Sequence, residues 1–87
     1  MNTNTVYPQI DLVATGERMK ALMKMNGLTV RHLQSACGFE NPQAVYKWLS
    51  GKCLPTIDNF IILSILFKIG INDIVVYHCE GIDDRTA

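Results

Sequence analysis

The chain has 87 residues, 48% of them hydrophobic, with a mean hydropathy of +0.13 and eight basic side chains against eight acidic ones. That length holds one domain and excludes a second core, the apolar content excludes a largely disordered body, and a formal net charge of zero excludes a chain-wide polycation. Three cysteines, Cys37, Cys53 and Cys79, form no C-x-x-C pair and are odd in number, which argues for a reducing cytoplasm over a disulfide framework.

Residues 1–10 are polar, contain Pro8 and carry no Lys or Arg, so they read as a flexible N-terminal arm, with Val6, Tyr7 or Ile10 tucked against the body. They also lack the basic region and apolar run of a secretion signal. A first helix is predicted from about 11 to 26. Asp11 is placed to cap it, and Gly27 stops it. Leu12, Met19, Leu22 and Met23 keep the helical period, and Arg18, Lys20 and Lys24 take polar positions. Gly16 lies inside, at a cost of about 1 kcal/mol relative to alanine. Met19, Met23 and Met25 read as gap-filling core.

The stretch 29–52 organises the chain. Thr29 is a cap candidate for a second helix whose apolar stripe is Val30, Leu33 and Cys37, with Gly38 as its stop. Asn41 and Pro42 open a third helix, Asn41 as cap and Pro42 at the first helical position. Val45, Trp48 and Leu49 form its inner face, Gln43, Ala44, Tyr46 and Lys47 lie towards solvent, and Ser50 and Gly51 end it. Short helix, glycine turn and short helix with a polar outer face is the sequence form of a helix-turn-helix. Beyond it, Pro55 breaks the chain and Thr56 caps a fourth helix from about 57 to 68, with Asp58 near its positive end. Apolar almost all round, this helix is expected to be the hub of the core, its surplus face free to meet a second subunit. The apolar run 57–71 is too short and too polar to span a bilayer. Gly70 stops it, and Asn72 is placed to cap a short fifth helix through Tyr77, although the β-branched run 74–76 also suits a strand. Residues 79–87 read as a disordered acidic tail.

The residues of the helix-turn-helix carry a resemblance. Leu28 and Thr29 before the second helix, Leu33 within it, Gly38 at the turn, Val45 and Trp48 in the third helix, and Ser50, Gly51 and Lys52 after it resemble the phage-repressor/Cro-type helix-turn-helix family. Pro55 followed by Thr56, Ile57, Asp58 and Asn59 resembles that family's opening of the fourth helix. The resemblance covers roughly residues 11 to 77. The span from Gly38 to Val45 is one residue longer than the family's usual spacing, so Phe39, Glu40, Asn41 and Pro42 lengthen the turn. The resemblance implies an all-α, compact five-helix bundle over 11–78 and a sequence-specific DNA-binding regulator, expected to be a homodimeric repressor that inserts the third helix into the major groove.

The resemblance places Gln43, Ala44, Tyr46 and Lys47 in the base-reading region. Their chemistry agrees: an amide bonds adenine bidentately, a lysine reaches guanine or a phosphate, and alanine approaches a thymine methyl. Thr29, Arg31 and Lys52 are the expected phosphate contacts. Charge supports this reading. Residues 16–55 hold Arg18, Lys20, Lys24, Arg31, Lys47 and Lys52 against Glu17 and Glu40, while the acidic residues gather elsewhere. An enzyme is not expected. His32 with Cys37 and His78 with Cys79 lack an acid to complete a triad and lack zinc-finger spacing, so neither cofactor nor metal is expected. The competing expectation is an antitoxin or accessory subunit that keeps this fold for protein interaction, motivated by the zero net charge and the apolar fourth helix.

Overall fold

The computed structural model describes residues 7–80, with side chains for 8–79. It is mostly α-helical. In chain order it has β1 (Tyr7–Ile10), α1 (Leu12–Met25), α2 (Val30–Ala36), α3 (Gln43–Leu49), α4 (Ile57–Phe67), a 3-10 turn (Ile71–Asp73) and β2 (Tyr77–Glu80). One core joins the four helices and the segment after the 3-10 turn: Met19, Leu22 and Met23 of α1, Leu33 of α2, Val45, Trp48 and Leu49 of α3, Phe60, Leu63 and Phe67 of α4, and Ile74.

Local caps set the helix boundaries. The Asp11 carboxylate accepts from the Ala14 N–H at 2.9 Å, and Thr29 heads a capping box in which His32 takes the place usually held by Glu or Gln. The Leu28 N–H returns to the Met23 carbonyl at 2.8 Å, the Phe39 N–H to Gln34 at 3.0 Å, and the Lys52 N–H to Lys47 at 2.9 Å. Each is the outer bond of a Schellman turn. At the end of α4 the left-handed position is held by Lys68, at φ +62.

Two glycines let α1 lie directly against the end of α3. A Cβ on Gly16 would sit 2.5 Å from the Leu49 carbonyl oxygen and 2.7 Å from that of Trp48. A Cβ on Gly51, at φ +80, would sit 2.8 Å from Val13 Cα. Helix α1 therefore crosses the C-terminal turn of α3 backbone to backbone.

The expected fifth α-helix is not formed. A single 3-10 turn replaces it, and the β-branched run that follows leads into β2, which pairs antiparallel with β1. Tyr7 lies opposite Glu80 and Ile10 opposite Tyr77. The cause is that Val76 is already committed to α1: its N–H donates to Thr15 Oγ1 at 2.9 Å, and its carbonyl accepts from the Asp11 N–H at 2.9 Å. The Arg18 Nε–H adds a bond to the Asp73 carbonyl at 2.9 Å. Residues 7–10 of the expected arm are thus strand, as are Cys79 and Glu80 of the expected tail. Residues 1–6 and 81–87, to which the rest of those two expectations apply, lie outside the described residues.

Three packing expectations also change. Leu12 is exposed in the first turn of α1, where Thr15 and Gly16 are buried instead. Met25 is exposed because it lies about 120° around the helix from Met19, at 100° per residue, and so away from the core. Helix α4 buries only Phe60, Leu63 and Phe67, and leaves Ile57, Ile61 and Ile65 in solvent. It forms one wall of the core, not its hub.

Candidate nucleic-acid interface

Helix α3 begins one residue later than expected. Pro42 occupies the cap position and Gln43 is the first helical residue, while the Asn41 side chain still accepts from the Gln43 N–H at 3.1 Å. The lengthened turn before it is anchored at Phe39. Its ring meets Trp48 edge-on at 5.7 Å, with 62° between the planes, and its carbonyl accepts from Gln34 Nε2 at 3.3 Å. Trp48 and Val45 are buried, so the rotation of α3 is fixed from its inner face.

The outer face follows from that rotation. Gln43, Tyr46 and Lys47 are exposed, whereas Ala44 is half-buried and packs against the core. Ala44 therefore presents less surface to a partner than the base-reading expectation assumed. At the C-terminal end, the Lys47 carbonyl accepts both the Lys52 N–H and the Ser50 hydroxyl, at 2.9 and 3.3 Å. These bonds fold 50–52 back on α3 and bring Lys52 beside it. A concavity of about 450 Å³ results, lined by Lys20, Gln43, Tyr46, Lys47, Leu49, Ser50 and Lys52. Three of these are lysines and none is a carboxylate.

Sequence reasoning missed Lys20 as a site residue. It comes from α1, and only the crossing at Gly16, one helical turn earlier, brings it to the end of α3. A glycine inside an otherwise regular helix was the available signal of a close approach, but not of what approaches. Lys20 also pairs with Glu17 at 3.1 Å, both side chains being well exposed, a geometry worth little to stability.

The expected phosphate contacts fare differently from one another. Lys52 lies in the concavity and Arg31 is exposed on α2. Thr29 is committed to its capping box: its hydroxyl accepts from the His32 N–H at 3.3 Å, and its N–H donates to His32 Nδ1 at 2.9 Å. Arg18, counted with the basic cluster, is held at the Asp73 carbonyl.

Cys37 ends α2, half-buried against the core. Burial, and then the Asp58 carboxylate, push its thiol up, which keeps it protonated and a poor nucleophile. Among the described residues no three His, Cys, Asp or Glu side chains gather as metal ligands, and no helix is long and apolar enough to cross a membrane.

The fold and this concavity define a small, mostly helical protein with a basic surface beside a short exposed helix. The chain matches no protein-family model, no curated protein and no solved structure.

Proposed function

We propose that this chain is a sequence-specific DNA-binding transcriptional regulator of the phage-repressor/Cro helix-turn-helix class, with α2 and α3 as its helix-turn-helix. It acts as a homodimeric repressor that occupies its operator. The observation that carries this reading is the concavity beside α3, which Lys20, Lys47 and Lys52 line together with Gln43, Tyr46 and Ser50 and no carboxylate, although Glu17 pairs with Lys20 at its edge. A phosphate chain beside that surface meets cations from two helices and a loop, and those contacts position α3. Gln43, in the first turn of α3, then reads a base edge through its amide, with adenine as the matching partner, and Lys47 lies one turn further along. Tyr46 flanks them with a hydroxyl suited to a phosphate. Ala44 contributes at most an edge contact.

The overall charge of zero is compatible with this, because binding depends on where the cations lie. The test is fluorescence anisotropy with operator duplexes selected from a random pool, repeated over a range of salt. Affinity should fall linearly with log salt. Gln43→Ala should relax preference at one base pair, and Lys52→Ala should weaken every sequence about equally, reducing the salt slope by about 1. Lys20→Ala should behave like Lys52→Ala. Affinity independent of salt, or variants that bind every probe like the parent, would remove α3 from the groove.

The interaction-module reading has one observation in its favour, the exposed isoleucines of α4. It predicts binding to a protein partner that persists at high salt.

A further inference from the structure

Ile57, Ile61 and Ile65 stand on one face of α4 at exposures of 67, 51 and 70%. Their i, i+4, i+8 spacing makes a continuous ridge about 12 Å long, at 1.5 Å rise per residue. A second face, about 130° around the helix and carrying Phe60, Leu63 and Phe67, fills the core. Asp58 is the one exposed polar side chain of α4, and it flanks the ridge three residues before Ile61. Asp58 is bonded to Thr56 at the first turn, Asn59 is half-buried, and the Ser64 hydroxyl donates to the Ile69 carbonyl at 2.6 Å.

We infer that this ridge is a self-association surface whose occupant is the α4 ridge of a second copy, packed antiparallel about a two-fold axis at Ile61. The ridge is its own complement. Reversing the helix about Ile61 lays Ile57 on Ile65 of the other copy and Ile61 on itself, the arrangement a two-fold interface requires. Charge selects the direction. The helix carries one ionised side chain, Asp58, in its first turn, and Lys68 follows its last residue. Antiparallel packing sets Asp58 opposite Ser64 of the other copy, with that copy's Lys68 about 6 Å further along the axis, and opposes the two helix dipoles, whereas parallel packing sets Asp58 directly against Asp58.

The size of the ridge sets the strength. An 11-residue helix is about 16 Å long, so contact along it alone falls below the roughly 1,200 Å² of a stable interface. The dimer is therefore weak and concentration-dependent in free solution. This deepens the homodimer part of the proposed function, and it is tested without DNA.

The experiment is sedimentation of the full chain across concentrations up to about 1 mM, with helical circular dichroism confirming that each variant folds. The parent should shift from monomer towards dimer. Ile61→Lys, which sets a charge against itself at the axis, should weaken association by at least about tenfold. The register gives a sharper pair. Ile57→Lys with Ile65→Lys should abolish the dimer, whereas Ile57→Lys with Ile65→Glu, which sets opposite charges face to face only in the antiparallel register, should retain it. A parent that stays monomeric throughout, or association indifferent to Ile61→Lys, overturns the inference. If the two double variants behave alike, the antiparallel register is wrong and the inference falls with it. Failure of the DNA reading would appear separately, as a folded parent that binds no duplex whatever its association.

Discussion

Gly16 shows how one residue can carry an interface. Replacing it by alanine gains about 1 kcal/mol of helix propensity, but the new methyl meets carbonyl oxygens of Leu49 and Trp48 that cannot swing aside. Overpacking of this kind costs about 1–3 kcal/mol, so after the gain in propensity Gly16→Ala should destabilise by up to about 2 kcal/mol in urea unfolding. It should also separate Lys20 from Lys47 and weaken DNA binding. Asp58 makes a second prediction at this scale. The Thr56 hydroxyl holds its carboxyl below the ordinary carboxylate value, opposed by slight desolvation and helped by the N–H groups of Asn59 and Asp58. A lowered folded value means the folded state favours the charged form. The contribution is complete above the unfolded value and is lost as pH falls through the folded one. Asp58→Asn should therefore flatten the acid limb of a stability-against-pH curve and leave its alkaline side unchanged.

Between elements, the β-ribbon depends on Thr15. This side chain is buried at the start of α1 and serves Val76 as both acceptor and donor, 61 residues away in sequence. Thr15→Val keeps the shape and removes the acceptor, which leaves a part-buried N–H unpaired at a cost of about 1–3 kcal/mol. Amides of 76–79 should then exchange faster than those of α3, a difference that hydrogen exchange resolves residue by residue. The same element explains what could and could not be read from sequence. Asp11, Gly27, Thr29, Gly38 and Gly51 act within one or two turns, so the limits of α1, α2 and α3 were legible to within a residue or two. The strand β2 was not legible. The β-branched run 74–76 suits a strand, but it only leads into β2, whose own residues Tyr77–Glu80 include no β-branched side chain; a strand also needs a partner, and 7–10 read as an arm. One non-local pairing accounts for both misreadings.

At the scale of the whole molecule, the same division holds for the candidate site. The exposed positions of α3 followed from the period of Val45, Trp48 and Leu49, because a buried face fixes its opposite. Lys20 required the crossing of α1 over α3, a tertiary fact with no sequence pattern beyond a glycine. A surplus apolar face on α4 was legible in the sequence, but that Ile57, Ile61 and Ile65 form it followed only from the face the core uses. The molecule thus carries two distinct surfaces, a basic concavity at α3 and an apolar ridge on α4. A neutral chain can serve a polyanion through the first while associating through the second.

The most direct test of the central claim is a heteronuclear NMR titration of the labelled chain with a randomised short duplex at low salt, followed by added salt. The DNA reading predicts amide shifts concentrated at Lys20, Arg31 and residues 43–52 that fade as salt rises. The absence of shifts at those residues at low salt would contradict it.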